Sequence, residues 1–495
     1  MNAVTPAATA APARPVVLGR AALATRVGAA AAAPAPVRIV HLGLGAFHRA
    51  HQAWYTAHAT DAAGWGIAAF TGRDPHAAEV LAAQDGLYTL VERIDAGDRV
   101  EVVTSIVEAH DGADVARLAE LVASDQVAIV TLTITEAGYR LRHDGTAELD
   151  DPDVAADLAR LRAAAGALAG ARPRTALGRL LVALDARRAS GGAPIAVVSC
   201  DNMPDNGERL RRGIRSLAAL VSEPLLHWID GSVSFVSTSV DRITPRLESV
   251  DIPAVRAAGW IDVAPVVTEP FRDWVLSGDF PAGRPDWASA GARFVDDIEP
   301  WEFRKLWLLN GAHSILAYAG MRRGHATVAQ AIADPECRSL VERFHDEAVA
   351  VLPVGVEHDD YRAQLIARFS NAAIAHRLDQ IAADGADKMR YRIAAVAERS
   401  VAAGGSFHAS AAALATWIGW VLAGGAAPEA RAADVRRAAA ASDPVEALVA
   451  LVSPTLAAHP AFVAAVRERV AAVAVAAADR STPADPGTLH EPVPS

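Results

Sequence analysis

Lys305, Asn310 and His313 stand in the stretch Trp301-Glu302-Phe303-Arg304-Lys305-Leu306-Trp307-Leu308-Leu309-Asn310-Gly311-Ala312-His313, which brings an amine, an amide and an imidazole close together in the chain. Among 47 Lys and Arg residues, Lys305 and Lys388 are the only lysines. Arginine keeps its proton at any physiological pH, whereas a buried lysine can lose one and act as a base. The chemistry on offer is therefore proton transfer at Lys305. The competing reading is that lysines drifted to arginine under base-composition pressure and two remained by chance.

One element has to position this set. If residues 301–315 form an α-helix, Glu302, Lys305, Asn310 and His313 fall within an arc of roughly 140° at about 100° per residue, so one face carries all four. Glu302, one turn from Lys305, could relay protons to solvent. It could equally form an i,i+3 ion pair that raises the lysine pKa.

A second motif lies near the start. Val37–Leu42 reads as a buried strand running into Gly43-Leu44-Gly45-Ala46-Phe47-His48. Gly43 permits a tight turn, and Gly45 lets the backbone approach a pyrophosphate resting on the helix that Ala46 and Phe47 open. His48 replaces the third glycine of that fingerprint. A further strand, Gly66–Phe70, precedes Thr71-Gly72-Arg73-Asp74. Asp74 at that strand end favours NAD by repelling a 2′-phosphate. Arg73 could instead accept the phosphate, or both could be solvated turn residues. His41, His48 and His51 read as structural or cofactor-adjacent, and no His-Glu spacing calls for a metal.

Strand candidates at Val127–Thr133, Pro194–Cys200 and Val233–Val236 alternate with helical stretches, which predicts an α/β fold with a doubly wound, mostly parallel Rossmann-type sheet. Ligands of such sheets gather beyond the strand C-terminal ends. Thr135-Glu136, Asp201-Asn202 and Asp241-Arg242 fall there and could reach one crevice. From about residue 296 the pattern turns helical, in segments such as Pro335 to Leu352, Ala411 to Ala423 and Pro460 to Ala478. The expected organisation is a flexible Ala/Pro-rich tail over 1–34, a dinucleotide-binding domain over 35–295, a mainly helical domain over 296–480 covering the crevice, and a polar tail over 481–495.

Composition narrows the class. A net charge of −11 argues against nucleic-acid and anionic-membrane partners. Two distant cysteines, Cys200 and Cys337, cannot build a structural zinc site and suggest a reducing cytoplasm. Residues 1–34 lack a signal-peptide core, and no apolar run is long enough to span a membrane.

Taken together, the motifs resemble the long-chain polyol-specific dehydrogenases, the mannitol dehydrogenase family, across roughly residues 37 to 480. The residues that carry the resemblance are Gly43 to His51, Thr133 to Tyr139, Ser199 to Gly207, Val240 to Pro245, Thr268 to Phe271, and Lys305-x4-Asn310-x2-His313. The resemblance implies an NAD-binding Rossmann domain, a helical C-terminal domain and metal-free hydride transfer between nicotinamide and a ketose, sugar acid or polyol. It further implies that Lys305 is the general acid/base, that Asn202 and Asn310 bind the reacting oxygen, and that His313 holds the substrate. Physical chemistry agrees: reduction puts negative charge on a ketone oxygen, and two amide N–H donors stabilise it until a proton arrives. In reverse, a base must take the hydroxyl proton. That requires the lysine pKa to fall from about 10.4 toward roughly 7 to 8, near 4 kcal/mol, which desolvation by Leu306, Trp307, Leu308 and Leu309 could supply.

Rival classes lack their residues. No tyrosine is followed four positions later by lysine, the cysteines of zinc alcohol dehydrogenases are missing, and there is no phosphate-binding GxxxxGK[ST] loop. A non-catalytic dinucleotide-binding protein would be expected to break the Lys/Asn/Asn/His set. Over Arg368 to Lys388, His376-Arg377 and Gln380 look more like enzymes that reduce fructuronate to mannonate than like mannitol 2-dehydrogenases. Arg377 and Lys388 are candidates to bind a carboxylate, or equally a phosphate as in a mannitol-1-phosphate 5-dehydrogenase, and either could instead be a surface or structural cation; Asp241 is a further candidate on the substrate side. Ala372 stands where the family commonly has proline. The expected partners are a small-molecule substrate and NAD, in a monomer or small homo-oligomer.

Overall fold

A computed structural model describes residues 14–164, 167–247, 249–250, 252–373 and 376–481. The chain divides into two compact units, residues 1–299 and 300–495.

The first unit is built on β-strands: β1 (Val16–Val17), β2 (Val37–Leu42), β3 (Gly66–Phe70), β4 (Tyr88–Glu92), β5 (Arg99–Val103), β6 (Ile106–His110), β7 (Ile129–Leu132), β8 (Ile195–Ser199), β9 (Val233–Asp241), β10 (Trp260–Ile261), β11 (Val266–Thr268), β12 (Asp273–Ser277) and β13 (Arg293–Phe294). Eight of them form one sheet in the order β13-β12-β9-β8-β7-β2-β3-β6. From β6 to β9 neighbours run parallel, and β12 joins antiparallel to β9. The chain leaves β2 toward β3 and β6, then returns to place β7 on the other side. The order thus reverses between β2 and β7, the switch point where such sheets bind dinucleotides.

The central strands are apolar on both faces. Val40, Leu42, Val130, Leu132 and Val197 pack into one buried cluster, while Ile39, Ile129, Ala196 and Val198 pack into another. This is the period-two alternation of a sheet covered on both sides by helices.

Residues 14–34 are not a flexible tail. β1 pairs parallel with β10, a helix spans Arg20–Val27, and Leu18 and Leu23 are buried. The Arg20 guanidinium donates to the carbonyls of Ala32 at 3.0 Å and of Thr104 and Ile106 at 3.1 Å. Alanine-rich composition hides this, because two leucines and one arginine do the anchoring. Residues 1–13 and 482–495, the rest of the two expected tails, lie outside the described residues.

The second unit is helical. Its core holds Trp307, Leu308, Ile315, Phe344, Met389, Ile393 and Trp417. Helix Pro335–Ala350 starts where Asp334 accepts the N–H groups of Glu336 and Cys337, at 2.9 and 3.3 Å, with proline in its first turn. No helix among the described residues is long and apolar enough to cross a membrane.

Candidate active site

In the first unit the site begins at Gly43, just past β2. Its φ of +105° is open to glycine, and a Cβ there would lie 2.0 Å from the Thr133 carbonyl oxygen. A Cβ on Gly45 would meet nothing closer than the Gly43 carbonyl at 3.6 Å. Packing within the protein therefore does not require Gly45, which leaves room for a bound phosphate as the reason for it. Ala46 opens a short helix, Ala46–Ala50, and Phe47 stacks on His51 with ring centroids 5.1 Å apart.

A cavity of about 740 Å³ opens beside this turn, and its wall includes Gly43, Leu44, Gly72, Arg73, Thr135 and Arg179. Asp74 is exposed, and its carboxylate accepts the His76 N–H at 3.0 Å. Arg73 lines the cavity and Asp74 does not.

Beyond β7 and β8, Asp201 organises the loop ends that the sequence placed together. Its carboxylate accepts the N–H groups of Ile134 and Thr135 at 2.9 and 2.8 Å and the Tyr139 hydroxyl at 2.7 Å. Burial pushes the Asp201 carboxyl upward against these bonds. Asn206 donates to the carbonyls of Asp201 and Thr238, at 2.9 and 2.7 Å, tying the end of β8 to β9. Asn202 follows Asp201 and is exposed. Asp241 is the buried last residue of β9. Arg242, expected at the crevice, is instead structural: its guanidinium donates to the carbonyls of Glu269 and Ala50 and pairs with Glu92 at 2.6 Å.

The three histidines of the glycine motif are structural. His41 bonds to Thr131 and Thr133 at 2.8 and 3.0 Å, His48 stacks on His41 at 3.3 Å, and His51 bonds to the Asp273 carbonyl at 3.1 Å. Burial holds His41 down to about 3, so the stack is neutral.

In the second unit, residues 301–315 are helical but not one α-helix. An α-helix, Glu299–Arg304, passes into a π-helix, Lys305–Gly311, and then into the α-helix Ala312–Arg322. The uniform 100° spacing therefore fails between Lys305 and His313, where the turn is wider. Lys305 opens the π-segment and is half-buried, as is Asn310 at its end. Trp307, Leu308 and Leu309 belong to the core.

Two distant residues hold the widened turn. His345 Nε2 donates to the Leu308 carbonyl at 2.8 Å, and Arg392 Nη1 donates to the Asn310 carbonyl at 3.2 Å and the Ser314 hydroxyl at 3.1 Å. Arg392 lies in a second π-helix, Arg390–Ala394. Sequence reasoning missed both residues, although Arg392 follows Lys388 by four positions and so shares its helical face.

His313 is buried, with Phe369 and His376 rings 5.0 and 4.9 Å away, and its Nε2 makes no hydrogen bond among the described residues. Burial pushes its pKa well down, and His376, Arg368, Arg392 and Lys388 push it in the same direction. Lys388 Nζ donates to the Ile381 carbonyl at 3.0 Å. Arg377 does not join this group: it is exposed and ion-paired with Asp379. The cations around His313 are thus Arg368, Arg392 and Lys388, where the sequence pointed to Arg377 and Lys388.

Comparison with known proteins places both units. Residues 37–289 match the mannitol dehydrogenase Rossmann domain, and residues 297–474 match the mannitol dehydrogenase C-terminal domain. The D-mannonate oxidoreductase of Escherichia coli (strain K12) is 36% identical over 393 residues, 77% of this chain and 79% of that protein. The mannitol 2-dehydrogenase of Cereibacter sphaeroides is 36% identical over 74% of this chain and 77% of its own length. The solved structure of Pseudomonas fluorescens mannitol 2-dehydrogenase, a ternary complex with NAD and D-mannitol, is 32% identical with a TM-score of 0.71, covering 90% of this chain and 94% of that one. With Gly43 lining the cavity beyond β2 and the Lys305, Asn310, His313 set on one helical segment, this chain belongs to the mannitol dehydrogenase family and is an NAD-dependent oxidoreductase.

Proposed function

We propose that the protein reduces a 2-keto sugar acid to its aldonate, as fructuronate to mannonate, and runs the reverse oxidation. The observation that carries this reading is the environment of His313, where Arg368, Arg392 and Lys388 gather beside the buried imidazole. Arg392 and Lys388 spend their bonds on neutral oxygens of Asn310, Ser314 and Ile381 and so keep positive charge for a ligand. A substrate carboxylate would complement this cluster, in which Asp384 and Glu429 act on Lys388.

In this reading Lys305 gives a proton to the substrate oxygen on reduction and takes it on oxidation. Asn310 donates its amide N–H to that oxygen as it gains charge, a role the family resemblance also gives to Asn202. Neutral His313 meets a substrate hydroxyl through its open Nε2. Asp241 is a further polar contact to substrate. Gly43 and Gly45 leave the backbone free to hold the pyrophosphate, with Ala46 and Phe47 at the start of the following helix. NADH, when bound, supplies the hydride. The two cysteines are free and buried, which suits a reducing, cytoplasmic setting.

Initial rates with NADH on fructuronate, fructose and fructose 6-phosphate test the assignment. A charge-assisted contact contributes roughly 1.5 to 3 kcal/mol, so kcat/KM for fructuronate should exceed that for fructose by about 10- to 150-fold. Equal or faster turnover of fructose would move the assignment to a mannitol 2-dehydrogenase. Preference for fructose 6-phosphate would mean that the same cations serve a phosphate, as in a mannitol-1-phosphate 5-dehydrogenase.

A further inference from the structure

We propose that the ribose end of the crevice in the first unit also accepts a 2′-phosphate, so that the protein uses NADP(H) as well as NAD(H). The inference rests on the dinucleotide assignment of that crevice and is independent of which sugar is reduced.

Arg73, Arg174 and Arg179 line one cavity together with Gly72 and Ala113, residues just beyond the C-terminal ends of β3 and β6. That is where a dinucleotide fold places the adenosine ribose. Asp74, the residue that would repel a 2′-phosphate, is absent from this wall, and its carboxylate closes the local turn on the His76 N–H. Of the two charged residues in this turn, Arg73 and not Asp74 stands on the cavity wall.

The corner is built rather than incidental. Arg179 Nη1 donates to the Gly72 carbonyl at 2.8 Å, which fixes the guanidinium against the loop that carries Arg73. A Cβ on Gly112 would lie 2.0 Å from the Thr71 carbonyl oxygen and 2.5 Å from Arg179 Nη1, so the close approach depends on glycine there. Arg174 immediately precedes Thr175, whose hydroxyl caps the helix Ala176–Ala189 by accepting the Gly178 N–H.

The nearby carboxylates are already engaged. Asp157 accepts the N–H groups of Arg174 and Thr175 and pairs with Arg160 at 2.8 Å. Asp153, on the same wall, pairs with Arg140 at 2.6 Å. Among the described residues, no ion pair neutralises Arg73, Arg174 or Arg179. Burial lowers the pKa of Arg179, and the nearby Asp111 and Asp157 carboxylates only partly oppose that shift. A ribose 2′-hydroxyl gives such a set little to bind, whereas a phosphate of charge about −1.5 to −2 matches it.

Equilibrium binding of NAD⁺ and NADP⁺ to the full chain, followed by tryptophan fluorescence without any sugar present, tests this. The expected ratio Kd(NADP⁺)/Kd(NAD⁺) is below about 30, and it should rise at least about tenfold in Arg73→Ala and in Arg179→Ala, the loss of one charge-assisted contact each. Added salt should weaken NADP⁺ more than NAD⁺. A wild-type ratio above about 30, or a ratio that neither substitution moves, overturns the proposal. Failure of both coenzymes to bind would overturn the dinucleotide assignment itself, a result distinct from selective loss of NADP⁺.

Discussion

The Arg392 guanidinium reaches the main-chain carbonyl of Asn310 at 3.2 Å, joining one π-helix to another. Passing from i→i+4 to i→i+5 pairing shifts the carbonyl ladder, and a buried carbonyl without a donor is costly. Arg392 and the Ser314 hydroxyl both donate to that carbonyl, at the residue whose side chain is assigned to the substrate oxygen. It stays charged, since burial lowers its pKa only to about 10.

Arg392→Met should therefore cost about 1 to 3 kcal/mol of stability through the lost bonds to the Asn310 carbonyl and the Ser314 hydroxyl, although Ser314 still donates to that carbonyl at 3.2 Å. It should also lower kcat/KM for the keto acid by more than tenfold, because Asn310 loses its support and the site loses a cation. Denaturant unfolding and steady-state kinetics on the same preparation measure both. Arg392→Lys, which keeps the charge but not the fork geometry, is expected to fall between.

Gly43→Ala should abolish tight NADH binding. The added Cβ would sit 2.0 Å from the Thr133 carbonyl at a φ of +105°, so β2 and the loop after β7 must separate. Coenzyme titration by fluorescence energy transfer from tryptophan checks this, with Gly45→Ala as a comparison whose Cβ meets only ordinary contact within the chain.

The buried histidines set the acid limit of stability. His345 is held from the usual 6.5 down to about 4 by burial, with its bond to the Leu308 carbonyl opposing that shift. Between those values the unfolded chain binds a proton that the folded chain refuses, so stability is full above about pH 6.5 and falls as pH drops toward 4. The slope is up to about 1.4 kcal/mol per pH unit for this group. Urea unfolding at pH 7.5, 6 and 5 should show the loss, and His345→Gln should flatten it.

Much of this architecture was legible in the residues, because the Val40/Leu42 and Ile39 alternation and the Gly43 turn are local signals. The same holds for Asp201, whose position after β8 marked the crevice edge. The π-helix was not legible: residues 301–315 fit an α-helical period, and the widened turn is held by His345 and Arg392, which come from elsewhere in the chain. Arg377 misled for the opposite reason: its partner Asp379 lies only two positions on, and that local pair holds it at the surface. The ordered segment after residue 14 was hidden by alanine, which masks the few side chains that anchor it.

The central claim is that Lys305 moves a proton, and Lys305→Arg tests it most directly. Arginine preserves the positive charge and much of the length but stays protonated. With the keto sugar acid as substrate, turnover is expected to fall by roughly 10² to 10⁴ while NADH affinity changes little, the loss usual for a general acid/base. Near-normal kcat in Lys305→Arg would show that Lys305 serves as a charge beside Glu302 or the substrate, and it would contradict the mechanism.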